Sequence, residues 1–418
     1  MAALALKARP RQWVTKLHRW SGLLLALFLL IVALTGAPMA FRWEVDAWLN
    51  PELFAVQPGA RHAPQAEIIQ LVEARFPDAR VGTLVYPERP DRALRISLMD
   101  KHAPAGMGHG MGHGQGAKLQ FNQVFVDPYS GHILGQRNTR QISFDRPGLM
   151  PFLVRLHSSL WLDQAGVWWM GGVAVVWLLT SFLGLALSWP RAWRRWRQGW
   201  RDMLALRTGQ GSYKLHYDLH RAASVATLPL MLVLAFTSVY LNLPDLVKPA
   251  VGWFSPLSVP PKLEGQPKAE APISPEQALA AAAHILPDGR VSSLGPDARR
   301  GLYNLRVYVP GDVSPSGNHM LALGMADGAP VGLRRTDTGS AGDVLLAWMF
   351  PLHSGLAFGV VGQALVLGLG LVLTAVCWTG LVVWWRKQRG ERRLAARQRE
   401  AAAQGGLNPC TARLRTDP

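Results

Sequence analysis

Four of the chain's twelve histidines stand where they could hold a metal cofactor. His18 lies in "KLHRWSGLLLALFLLIVALTG" and His220 in "DLHRAASVATLPLMLVLAFTS"; each is followed by an arginine, Arg19 or Arg221, and 17 residues later by a threonine, Thr35 or Thr237. His157 ("LHSSLW") and His353 ("LHSGLA") are 196 residues apart at the mouths of two further apolar runs. Neutral imidazole is a good axial ligand for iron, and two rings at one depth of a helix bundle can hold a b-type haem between them. A lone histidine at a helix end is accounted for by a hydrogen bond to a neighbour. Four at matching positions beside a membrane, where ionisable groups are functional by default, point to two haems, each bound by a histidine pair.

The residues nearby suit that reading. Haem propionates need cations, and Arg19 and Arg221 directly follow their histidines, while Arg155 precedes His157 by two. His216 lies four residues before His220, on the same helical face, and is the alternative ligand there. Trp20, Trp161, Trp168 and Trp169 read first as an interfacial aromatic belt. A second group, Met107, His109, Met111 and His113 in "GMGHGMGHGQG", offers thioether and imidazole donors suited to copper or, less selectively, iron; the alternative is a flexible glycine-rich insertion. Cys377 and Cys410 are the two cysteines, and there is no C-x-x-C-H, so a haem would be held without covalent attachment.

These residues must be positioned by membrane helices. The chain of 418 residues is 49% hydrophobic with 17 Trp, and Ser21–Ala40, Val167–Trp189, Ala222–Leu243 and Val360–Trp385 contain no Lys, Arg, Asp or Glu. Each is long enough to cross a bilayer, which needs about 20 residues of helix. The segments 1–20, 190–221 and 386–418 carry 22 Lys or Arg against 5 acids, a surplus that accounts for the whole net charge of +17. By the positive-inside rule these segments are cytoplasmic. The basicity therefore orients the protein and removes the case for nucleic-acid binding.

The pattern occurs twice. The stretch from Leu156 aligns without gaps on that from Leu352, pairing Gly166 with Gly362, Gly184 with Gly380 and Trp189 with Trp385. The two long loops echo each other as well, each an amphipathic helix, a Pro-Asp and then alternating strand-like runs. The expected organisation is a basic cytoplasmic segment 1–20, helix 21–40, outer module 41–155 with the Gly/Met/His loop 106–116, helix 156–189, basic loop 190–221, helix 222–243, outer module 244–350, helix 351–385 and basic tail 386–418. The fold class is a membrane α-helical protein: a four-helix transmembrane bundle from two tandem repeats, carrying two extracytoplasmic α+β modules.

"KLHRWSGL", "LHSSL", "LHR" and "LHSGL", with two outer modules of the helix-then-strands type, resemble the PepSY-associated transmembrane proteins of bacterial inner membranes. The likeness runs from about Arg11 to Arg386. It implies PepSY domains in the outer loops, His18, His157, His220 and His353 as haem ligands, and an activity among iron-regulated membrane proteins and ferric-siderophore reductases. An acceptor would be a ferric chelate on the periplasmic side, and the electron donor a quinol or a cytoplasmic reductase, because the chain contains no G-x-G-x-x-G. The competing reading is a membrane-anchored PepSY binding or regulatory protein without a cofactor. A metal carrier has less support, since no apolar run holds a buried charge.

Overall fold

The structure is a computed structural model that describes residues 8–102, 119–190, 195–258 and 271–405. In chain order the helices and strands are α1 (Ala8–Met39), α2 (Arg42–Leu49), α3 (Pro51–Phe54), α4 (Gln65–Arg75), β1 (Ala79–Val85), β2 (Leu94–Asp100), β3 (Gln123–Val126), β4 (Ile133–Arg137), α5 (Arg146–Ser159) and α6 (Asp163–Ser188). They continue with α7 (Trp196–Leu204), α8 (Ser212–Asn242), α9 (Pro244–Gly252), α10 (Pro275–Ile285), β5 (Arg290–Asp297), β6 (Leu302–Tyr308), β7 (His319–Gly324), β8 (Pro330–Arg334), α11 (Ala341–Ser354) and α12 (Gly359–Gly405). Four segments are long and apolar enough to cross a membrane: Pro10–Met39, Asp163–Ser188, Ser212–Asn242 and Leu356–Ala401. At most a third of each apolar window is buried by protein. Side chains such as Leu27 (62% exposed) and Leu371 (58%) present surface that lipid accepts and water does not.

The chain divides into two compact units, the first drawn from Met1–Ala33, Val176–Leu232 and Leu369–Pro418, the second from Leu34–Val175 and Val233–Gly368. In the first unit, the guanidinium of Arg11 donates to the Leu187 carbonyl at 2.8 Å, tying α1 to the end of α6. The carboxylate of Asp218, fully buried, pairs with Lys214 at 2.7 Å and Arg221 at 3.0 Å, so it is not left as an uncompensated buried charge.

In the second unit all eight strands form one antiparallel sheet in the order β4-β3-β2-β1-β5-β6-β7-β8. Each half is a four-stranded meander preceded by a helix, and the halves join where Leu84 and Val85 of β1 face Leu294 and Ser293 of β5. The sequence predicts two modules; the structure gives them a common sheet and a common core. Left apart, β1 and β5 would each expose an edge of unpaired amides and carbonyls beside apolar side chains. Joined, Leu84 and Leu294 are fully buried, and α4 and α10 cover one face with Ile68, Val72, Ala278 and Ala282. The two helices are also linked end to end: Ser274 and Gln277 cap α10, while Glu276 of that helix accepts from the Ala66 amide of α4 at 3.0 Å. Burial raises the cost of the Glu276 charge, but Ser274 and these amides prevail and hold its carboxyl below the usual range.

The other face of β2–β4 packs against α2 and α3 through Ala47, Leu53, Phe54 and Phe125. Here Arg137 of β4 meets Asp46 of α2 in a two-pronged pair, at 3.0 and 2.8 Å, with Arg137 6% exposed and Asp46 not at all. Arg137 also donates to Gln123 and to the Pro147 carbonyl, and Asn50 bridges Asp46 to the Arg146 carbonyl. The network therefore pins the start of α5 to the sheet.

Residues 156–189 and 351–385, which the apolar pattern predicts as single helices, are each broken. Between α5 and α6 the chain turns at Leu160, Trp161 and Asp163, all with positive φ. Between α11 and α12 it turns at Gly355 and a 3₁₀ turn, Leu356–Phe358. The reason is a backbone contact: a Cβ on Gly166 would lie 1.7 Å from the Ser159 carbonyl oxygen, and one on Gly362 2.1 Å from that of Gly355. Glycine alone lets the new helix start against the old one.

Asp46→Ala leaves Arg137 buried without its carboxylate and is expected to cost about 3–5 kcal/mol. Thermal unfolding of the full chain in detergent checks this against Asp91→Ala, which opens an exposed ion pair and should leave the midpoint unchanged.

Candidate functional site

Two short helices of the second unit carry His157 and His353. The N-terminus of α5 is capped by Asp145, whose carboxylate accepts from the Gly148 amide at 2.8 Å. The N-terminus of α11 is closed by a capping box of Ser340 and Asp343, and Asp343 also accepts from the amide and hydroxyl of Ser258. Burial opposes the charge on Asp343, and these donors overcome it, holding its carboxyl below the usual range. With both ends fixed, the last turns of α5 and α11 bring the two imidazoles to a centroid separation of 6.3 Å, their planes at 60°.

Each ring is held through Nδ1. His157 Nδ1 lies 3.2 Å from Thr35 Oγ1, and His353 Nδ1 lies 3.1 Å from Thr237 Oγ1. The Thr237 hydroxyl already donates to the Val233 and Leu234 carbonyls, at 2.9 and 3.0 Å, so its oxygen must accept from the imidazole. That fixes His353 as the Nδ1–H tautomer, with the lone pair on Nε2. The shared interval of 17 residues thus has a structural meaning: α1 and α8 each bear a histidine near one end and, further along, the threonine that orients a histidine of another helix. Gly36, next to Thr35, lets the ring in, since a Cβ there would lie 2.6 Å from His157 Cε1.

His18 and His220 lie in the first unit and are anchored in a parallel way. His18 Nδ1 is 3.2 Å from the Thr180 carbonyl of α6, and His220 Nδ1 is 2.9 Å from the Val376 carbonyl of α12. A carbonyl only accepts, so both rings are Nδ1–H tautomers with the lone pair on Nε2. Four residues beyond each carbonyl stands a glycine, Gly184 or Gly380, where a Cβ would sit 3.4 and 3.0 Å from the respective Cε1. These two glycines align in the sequence, which there reads as helix packing; the structure shows imidazoles lying against them. The alternative, His216, turns its Nδ1 back to the Ser212 carbonyl at 2.6 Å, within its own first turn.

The arginines divide. Arg221 donates to the Met203 and Ala205 carbonyls at 2.9 and 2.8 Å and pairs with Asp218, so it fastens the segment after α7. Arg155 pairs with Asp163 and lies over Trp161. Arg19 lies over Trp20 at 5.4 Å, and its buried Nε has no hydrogen-bond partner among the described residues. Trp20, Trp168 and Trp169 are more than half exposed, as belt residues are. Met107, His109, Met111 and His113 fall outside the described residues.

All four anchored histidines fall within residues 15–387, which match the family described as the PepSY-associated TM region. The chain belongs to that family. No curated protein matches it. For this PepSY-associated chain the family match covers all four apolar helices through their hydrophobic parts and the whole sheet between them.

Thr237→Val removes the oxygen that receives the His353 proton and should destabilise the protein by about 1–3 kcal/mol. Thr227→Val, on the same helix with its hydroxyl on the Ala223 carbonyl, is the control and should stay within about 0.5 kcal/mol. Equal unfolding midpoints for the two variants would show that the threonine does not hold the ring.

Proposed function

We propose that this protein is a haem b electron-transfer protein of the bacterial inner membrane, with both termini cytoplasmic, that reduces ferric iron or a ferric siderophore on the periplasmic side during iron acquisition. In this reading the two halves are tandem repeats, and the sheet is built from two PepSY domains. The observation that carries it is the His157–His353 pair. Their rings stand 6.3 Å apart, and as a pair of imidazoles they would hold one haem between them.

The donor chemistry fits as well. A histidine that would hold a haem iron is neutral, presents one lone pair, and keeps the other nitrogen on an oriented partner that raises its basicity. Thr237, the Thr180 carbonyl and the Val376 carbonyl do this for His353, His18 and His220, and Thr35 contacts the same nitrogen of His157. Haem b held at each pair would supply one-electron transfer, and the chain's own part is to fix ring orientation and keep the ligands neutral. The balance is one electron to ferric iron, giving ferrous iron, whose hold on hard oxygen chelators is weaker. The electron comes from a quinol or a cytoplasmic reductase. Reduction of the ferric ion itself moves no proton; a quinol donor would release two protons with the two electrons that reduce two ferric ions.

The test is the dithionite-reduced minus oxidised absorption spectrum of the detergent-purified protein, with haem quantified per chain. One b-type haem per histidine pair is expected. His157→Ala or His353→Ala should remove one haem and spare the other, and His18→Ala or His220→Ala should do the reverse. A colourless wild-type protein overturns the reading and leaves a cofactor-free PepSY anchor whose partner a pull-down would seek.

A further inference from the structure

The second unit holds two arginines that the mechanism has not used. Arg42 opens α2, six residues past the Gly36 that touches the His157 ring. Arg95 lies on β2, between the fully buried Leu94 and Ile96, and so points to the face of the sheet away from α4 and α10. Both guanidinium groups gather on Trp43, with Cζ at 4.4 Å (Arg42) and 3.7 Å (Arg95) from its ring. Arg42 also lies 5.8 Å from the ring of Phe350, which stands three residues before His353, one turn back on α11.

Among the described residues neither arginine makes a hydrogen bond or an ion pair, although both are largely desolvated. Burial pulls the Arg95 guanidinium down to about 10, with Arg42 and Arg137 adding repulsion and Asp46 and Glu88 opposing it. Burial likewise lowers Arg42, against the pull of Glu44. Of these acids, Asp46 is already bound two-pronged by Arg137, and Glu44 and Glu88 are exposed. Two like charges on one aromatic ring repel each other, and an oxyanion between them removes that cost through charge-assisted bonds.

We propose that Arg42 and Arg95 form an oxyanion site on Trp43, and that the carboxylates it takes are the propionates of a haem seated between His157 and His353. The assignment rests on the haem reading above and replaces Arg155, which is committed to Asp163, as the cationic partner on that side.

The experiment titrates the full-length apo-protein with haem and with haem dimethyl ester, in which the propionates are neutral. Absorbance is the readout, in a His220→Ala background that retains only the His157–His353 site. The parent should bind haem about 10- to 100-fold more tightly than the ester. Arg42→Gln/Arg95→Gln should lose that preference, and Arg42→Lys/Arg95→Lys, which keeps the charge, should retain part of it and guards against a folding defect. A glutamine variant that binds haem with the parent's full preference overturns the proposal while leaving the haem reading intact. So does a variant that differs only in co-purified phospholipid, since the occupant would then be a lipid phosphate. If the histidine-intact protein binds neither compound, the haem reading itself falls and the proposal with it.

Discussion

An imidazole can offer a ligand only the nitrogen that its protein partner does not hold, and helix contacts within each unit set that choice. At every one of the four histidines the partner takes Nδ1 and comes from a different helix. Such a bond needs close approach between helices, and small residues provide it. Gly184, Gly380 and Gly36 leave room for the rings, and Gly166 and Gly362 let α6 and α12 begin against the ends of α5 and α11. A side chain at Gly36, Gly166 or Gly362 would move a ring or a helix start, so orientation and packing are one constraint here.

The sheet serves the same end. A four-stranded meander buried on one face and open along β1 would be a poor anchor for the helix that follows it. Joining β1 to β5 gives both halves a common core, and each half then extends a tether to its own histidine helix. For α5 the tether is the Asp46–Arg137–Asn50 network; for α11 it is Asp343 with Ser258 and Ser340. The two tethers differ in chemistry although the elements they fix correspond. The sequence likeness of the halves is accordingly strongest at the histidines and weak in the loops that hold them.

Much of this was legible in the residues themselves. Four uncharged apolar runs announce the helices, and the constant offsets bring the histidines, Gly166/Gly362 and Gly184/Gly380 to notice. The break after Ser159 was not legible, because Leu-Trp-Leu is no helix breaker and the cause lies in a backbone contact with a glycine several residues on; the break after Ser354 had a local sign in Gly355, a C-cap glycine, which the long apolar run obscured. The β1–β5 junction was hidden for a different reason: an alternating strand looks alike at an edge and at a sheet centre. Arg221 was misleading. Its place beside His220 suggests a propionate partner, but the carbonyls after α7 and Asp218 reach it first. Arg42 and Arg95, 53 residues apart in sequence, carry no local signal at all, and only the packing of α2 on the sheet brings them together.

That last pair sets two ways of burying arginine side by side on one face of one sheet. Arg137 is neutralised from within the fold, by Asp46, and its contribution is to structure: breaking it costs stability whatever the protein binds. Arg42 and Arg95 have an aromatic ring beneath them and, among the described residues, no acid in an ion pair with them, an arrangement that a folded chain alone gives no reason to keep. Aromatic stacking offsets part of the desolvation, by about 2 kcal/mol per desolvated contact, and does nothing against the repulsion between the two charges. The remaining cost is one that a bound anion removes, so the stability of this corner of the sheet should depend on occupancy in a way that the Arg137 corner does not.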